Sequence, residues 1–234
     1  MIWSIVTPLL LLALYVLVFG FIFGGRFRAD ATAETRIEYA LVVFLGLAIH
    51  HFVSEIMALG PTLILANPNF VKKVVFPLEI LPAAAVGSAA LHFGITLSLV
   101  FIGALVTGAP LGWGVLWLPV ILLPLLIGAF GVALALAALG VFWRDIAQVT
   151  QFFALALLFA SAVFYPVSQI PGGVWYFLRF NPLIHFIDEA RAVTFWHRSP
   201  NPVHVGYLYA SAALLLVVGA TAFKRLRCHF ADVL

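Results

Sequence analysis

Charge is scarce in this sequence. Its 234 residues include 12 Lys or Arg and 9 Asp or Glu, 9% of the chain, where a soluble domain carries roughly 25%. Hydrophobic residues make up 65% and mean hydropathy is +1.16, which places the chain among polytopic membrane proteins. Cysteine is nearly absent: with Cys228 alone, no disulfide forms within the chain and no cysteine-based metal site is possible. Basic patches with interleaved aromatics are missing and the formal charge is only +3, so nucleic acid is excluded as a partner. There is no GxxxxGK[ST] phosphate loop, so the chain does not bind ATP by that route. The apolar run from Ile2 to Phe23 lacks a basic leader and a small-residue cleavage pattern, and reads as a retained span rather than a signal peptide.

What is present is a series of long apolar runs, each near the roughly 20 residues that cross a bilayer. They cover about Ile2 to Phe23, Tyr39 to Ala66, Ala83 to Thr107, Val115 to Phe142, Val149 to Tyr165 and Val205 to Phe223. Pro119 and Pro124 fall near the start of the fourth, where neighbouring helices can satisfy the freed carbonyls. Six spans put both termini on one side. Basic residues divide evenly, with Lys72, Lys73, Arg144, Lys224, Arg225 and Arg227 on that side and Arg26, Arg28, Arg36, Arg179, Arg191 and Arg198 on the other. The first set lies in shorter loops, holds every lysine and meets fewer acids, so the positive-inside rule leans towards cytoplasmic termini.

One polar-flanked stretch interrupts these runs, NPNFVKKVVFPLEILP from Asn67 to Pro82. Asn67 suits an N-cap and Pro68 the first helical position, while Pro77 disfavours helical geometry at Phe76. The spacing predicts a helix of about two turns, with Phe70, Val71, Val74, Val75 and Leu78 on one face and Lys72 and Lys73 on another. Alone it would be marginal, so something must hold it. A membrane-surface turn with snorkelling lysines and a docking element for a soluble partner both fit. Between the fifth and sixth spans, Gly173 to Phe180 and Asn181 to Trp196 form two helical patterns too short to cross. Asp188, Glu189 and Arg191 in the second are expensive in hydrocarbon and suit an interface or a water-filled vestibule. A re-entrant hairpin and an amphipathic surface loop are both compatible with this region.

NPNFVKKVVFPLEILP, FWRDIAQVTQF, VFYPVSQIP, NPLIHFIDEAR and the closing FADVL, in this order and spacing, together resemble the transmembrane subunit of type-2 ABC exporters. The nearest branch exports polysaccharides such as O-antigen, capsule and teichoic acid. The resemblance covers the whole chain as one domain, residues 1–234. One departure is that such subunits begin with an interfacial helix of about 25 to 30 residues, whereas here Met1 stands almost inside the first span. The resemblance implies an all-α protein with six transmembrane helices, a cytoplasmic coupling helix and a re-entrant extracytoplasmic hairpin, located in the inner membrane. It places ATPase coupling at Asn67, Pro68, Phe70, Lys72, Lys73, Val74 and Pro77, with a second contact at Arg144 and Asp145. It also implies a homodimer working with a separate ATPase subunit that holds ATP and Mg, so the chain itself is no enzyme and carries no cofactor. The substrate would be a lipid-linked glycan.

Asp145 and Gln148 are also spaced like a capping box for the fifth span. In the polysaccharide branch, aromatics of the first and fifth spans line the path, which points to Tyr15, Phe19, Phe23, Phe152 and Phe159. The same residues suit lipid-facing packing or interfacial belts equally well. Glu55, His50, His51 and His92 are the ionisable residues within spans and so functional candidates. Adjacent His50 and His51 point about 100° apart on a helix and do not chelate; for Glu55 the expectation is a buried polar contact at the subunit interface. Two other classes stay open. A permease for a small amphiphile or drug would share this fold. A membrane enzyme acting on lipid-linked sugars would need facing acids, and only Asp188 and Glu189 are adjacent, on a helix where neighbours diverge. Nothing resembles the filter of a channel.

Overall fold

The computed structural model describes residues 6, 9–11, 13–14, 17–18, 36–72, 76–109 and 111–233. Among them the chain is all-helical, with no strand. Helix α1 is Arg36–Leu59, continued by a 3-10 turn, Gly60–Thr62; α2 is Pro68–Lys72 and α3 Ile80–Thr107. A 3-10 turn at Trp113–Trp117 leads into α4, Leu118–Phe142, followed by α5, Ile146–Ala160. Two short helices come next, α6, Gly172–Leu178, and α7, Pro182–Thr194; then α8, Pro202–Leu226, and a terminal turn, α9, Phe230–Val233.

Four segments are long and apolar enough to cross a membrane, Ile37–Thr62, Ile80–Thr107, Trp113–Phe142 and Pro202–His229. The expected first span, with Tyr15, Phe19 and Phe23, lies outside the described residues. The expected fifth span is shorter than its apolar run. Its helix has 15 residues and is about 22 Å long, against a hydrocarbon core of about 30 Å. It stops at Ala160 because the chain turns there: Ala162 has φ of 52°, a left-handed conformation that ends a helix for any L-residue.

Elsewhere the helix ends follow local chemistry. Gly108 closes α3 in the left-handed conformation, its N–H bonded to the carbonyls of Ala104 and Leu105, the usual role of a glycine past a helix end. Asn181 and Asn201 each accept the N–H two residues on, from Leu183 and Val203, and each precedes a proline, which completes an N-terminus.

Helix α1 is the centre of the bundle. From Tyr39 to His50 it is buried continuously, and it packs on α3, α4, α5 and α7. The most extensive packing is between α4 and α8, where small residues let backbones approach. A Cβ on Gly219 would stand 1.9 Å from the Gly131 carbonyl oxygen. Gly140 makes a similar approach, with Pro61 O 1.9 Å from where its Cβ would be, seating the turn after α1 against the end of α4. At one end of the bundle lie Gly60–Thr62, α2, the α4–α5 turn and α9; at the other lie Trp113–Trp117, the α5–α6 turn and the C-terminus of α7, where Gly112 N–H reaches Thr194 O.

Candidate functional site

The α2 end of the bundle holds those of the expected coupling residues that are described. Helix α2 is described over Pro68–Lys72, within the stretch where a helix of about two turns is expected. Asn67 does not behave as Asn181 does: its side-chain amide donates to Leu63 O at 2.9 Å, tying the loop back to the turn after α1. The ring of Phe76 meets that of Phe70 at 4.7 Å, just before Pro77. Lys73 and Val74 lie outside the described residues. Beyond Pro77 the chain turns into α3, with Ile80 N–H bonded to Pro77 O at 3.0 Å.

Arg144 and Asp145 stand at the same end, both exposed on the turn between α4 and α5. Asp145 is the residue before α5 and makes no side-chain capping bond; its backbone carbonyl accepts from Gln148 and Val149 N–H. The expected capping box with Gln148 is therefore not formed, because Asp145 already has helical geometry, φ −75° and ψ −8°, whereas a cap needs the extended region. Both charged side chains are left facing outward. That is an arrangement suited to a partner, since an exposed charge with no local role costs nothing to keep solvated.

The second polar site is α7. Arg191 is 2% exposed and donates to three backbone carbonyls, Nε to Val42 O at 3.0 Å, Nη1 to Ala162 O at 2.8 Å and Nη2 to Val163 O at 2.5 Å. Gly46 makes the room: a Cβ there would sit 2.3 Å from Nη2. Burial lowers the Arg191 pKa to about 9, which still leaves the guanidinium charged at neutral pH. Asp188, one turn back, is pushed above the ordinary carboxylate range by burial and drawn partly back by Arg191. Glu189, 4% exposed, accepts from His204 Nδ1 at 2.6 Å and from Asn201 N–H at 3.0 Å, joining α7 to the start of α8. His185 stacks on His204 at 4.8 Å and meets Tyr207 edge-on at 5.3 Å. Rather than facing an interface or a water-filled vestibule, Glu189 and Arg191 are buried within the protein as braces, Arg191 bonded to backbone carbonyls and Glu189 to His204 and a backbone N–H, since a buried charge must be paired.

Within the spanning helices, His50 is buried and its Nε2 lies 2.9 Å from Ala154 O, a tie between α1 and α5. His51 is exposed, so the two histidines diverge as expected. Glu55 is joined to His92 of α3 at 3.0 Å, a contact within one chain that sequence reasoning did not find. Phe152 and Phe159 are 69% and 60% exposed, their rings meeting Phe153 and Phe164. Among the described residues no group of three or more His, Cys, Asp or Glu is placed to hold a metal ion.

Comparison with known proteins agrees with this architecture. The chain is 25% identical to the O-antigen export system permease protein RfbA of Klebsiella pneumoniae over 233 residues, 99% of this chain and 86% of that one. It is 25% identical to the protein of the same description from Myxococcus xanthus over 232 residues, 98% of this chain and 86% of that one. A shorter match, 25% over 100 residues, covers 43% of this chain and 39% of the polysialic acid transport protein KpsM of Escherichia coli. The family described as ABC-2 type transporter matches residues 1–195, and this chain, a multi-pass helical membrane protein, belongs to that family.

Proposed function

We propose that this chain is the permease subunit of an ATP-driven exporter that moves a lipid-linked polysaccharide across the inner membrane. Two copies enclose the path and a pair of separate ATPase subunits drives it. The observation that carries the reading is that α2 and the exposed Arg144–Asp145 turn lie at the same end of the bundle. The relatives named for O-antigen export and polysialic acid transport support the choice of cargo. In this reading that end is cytoplasmic, as are both termini, and six helices cross the membrane. The first span and α5 complete the set.

Segment 67–77 acts as the coupling helix, seated on the ATPase with Arg144 and Asp145 beside it. Closure of the ATPase pair pushes on both contacts, and the push reaches the bundle through α3, α4 and α5. Helices α6 and α7 form a re-entrant hairpin on the outer side. Its support is the tie from Asn181 Nδ2 to Ala160 O at 3.1 Å, and the packing of α7 against α1, α4 and α8. Irregular backbone at that depth is tolerated only where protein or a water-filled cavity covers it, and here Arg191 covers the Ala162 and Val163 carbonyls. The exposed rings of Phe152 and Phe159 face the path and stack on sugar rings; the family resemblance assigns the same role to Tyr15, Phe19 and Phe23, which lie outside the described residues.

The test is a strain deleted for the gene, with and without complementation, assayed for glycan at the surface and lipid-linked glycan inside. Loss outside with accumulation inside, restored by the chain, is the expected result. Unchanged surface glycan would reject this cargo and favour a small amphiphile.

A further inference from the structure

The closing residues have no role in the reading above, yet they are built into its moving end. Phe230, the first residue of FADVL, is fully buried. It belongs to one buried apolar cluster with Ile64 ahead of α2, Leu134, Ala137, Ala138 and Val141 in the C-terminal half of α4, and Phe223 of α8. Its ring meets Phe223 edge-on at 5.6 Å and Phe142 at 6.0 Å. Phe142 is the last residue of α4 and directly precedes the Trp143–Asp145 turn. Three residues before Phe230, Arg227 Nη1 bonds Glu79 Oε1 at 2.5 Å, and Glu79 lies on the loop that leaves α2 for α3. Leu78 of that loop and Leu81 in the first turn of α3 flank the same apolar cluster.

The packing of α2 itself is the decisive observation. A short helix is marginal by itself, and among the described elements α2 comes close to α9. The tail therefore stands between the segment that meets the ATPase and the rest of the bundle. We infer that residues 227–233 are the linkage that ties both ATPase-facing turns to α8, with Phe230 as the shared pivot and the Arg227–Glu79 pair as its strut. This rests on the reading of the α2 end as the ATPase-docking face. Close-packed interiors transmit displacement rather than absorb it, so a push on α2 or on the Arg144 turn reaches Phe230 and, through Phe223, the last turns of α8. Both contacts then move with one helix instead of independently.

Phe230 and Arg227 are positioning residues in this scheme, and the measurement must separate transmission from assembly. The permease would be co-expressed with its ATPase, and three quantities read: ATPase retained on purification, ATP hydrolysed by the complex, and glycan exported per ATP. Phe230→Ala is expected to keep the ATPase bound and hydrolysing, while export per ATP falls about fivefold, within the range by which coupling residues act; Phe230→Leu recovers most of it. If Phe230→Ala does not accumulate, the half-exposed ion pair carries the test. Arg227→Glu and Glu79→Arg each lower export per ATP, and the double reversal restores it. Unchanged export per ATP in Phe230→Ala, or in both single reversals, would overturn the linkage. Failure of the docking reading has a different signature: Val74→Asp and Arg144→Glu would then leave ATPase retention and export untouched, whatever the tail variants do.

Discussion

At the scale of single residues the hairpin is held by Arg191. It is the largest of the fully buried side chains, and its three bonds go to carbonyls on two segments far apart in sequence, one on α1 and one on the turn after α5. The left-handed φ of Ala162 is part of this arrangement, because a chain turned there presents two consecutive carbonyls to one guanidinium. Strain of that kind persists only where the surroundings over-determine it. Replacing Arg191 by Met roughly keeps the volume but takes their donor from the buried Ala162 and Val163 carbonyls, and removes a second bond to the helical Val42 carbonyl, at a cost of about 2 kcal/mol or more. Thermal unfolding in detergent should show the loss. Gly46→Ala should show it too, since its new Cβ would meet Nη2 at 2.3 Å, whereas Gly87→Ala, which meets nothing within 4 Å, should not. Equal melting of the three variants would remove Arg191 from this role.

At the scale of elements, the crossing of α4 and α8 depends on glycine. Gly219→Ala would place a methyl 1.9 Å from the backbone oxygen of Gly131, and a backbone cannot yield as a side chain does. Overpacking of about 1–3 kcal/mol is expected, visible as reduced detergent stability. Gly206→Ala on the same helix, with open space around it, supplies the matched control. Such contacts mark the limit of what a sequence shows. Helix ends were legible where a local motif sets them: Gly108 after α3, Asn181–Pro182 before α7. Asn67–Pro68 carries the same dipeptide as Asn181–Pro182, but the Asn67 amide reaches back to Leu63, and α5 ends inside an unbroken apolar run. In both cases the outcome is decided by neighbours distant in sequence. Glu55 with His92, Glu189 with His204 and Arg191 with Val42 are also long-range. Apolar periodicity shows which face of a helix is covered, but not which helix covers it.

At the scale of the whole molecule, α5 carries an exposed aromatic face among the described residues. It exposes Phe152, Phe153, Leu155 and Phe159 on a helix too short to cross alone, while its opposite side is fixed to α1 through His50 and Ala154 O. Lipid would tolerate that surface, and so would a path enclosed between two copies, with sugar rings against the aromatic faces; the two settings differ in what removing the rings does. On a lipid-facing surface, Phe152→Ala with Phe159→Ala removes little beyond apolar contact with acyl chains, and export should stay within about twofold. On a path wall, each lost stacking platform weakens the hold on a passing sugar by about 1 kcal/mol, by analogy with aromatic stacking on other flat rings. Two platforms in each of two copies sum to about 4 kcal/mol, a factor of several hundred if fully additive, so export should fall by at least tenfold. The expected result is the second, with the double variant retained in the membrane, its ATPase bound and ATP hydrolysis continuing. Replacing both by Leu separates ring chemistry from bulk: recovery of export with Leu would show that apolar volume suffices and that the rings do not read the glycan.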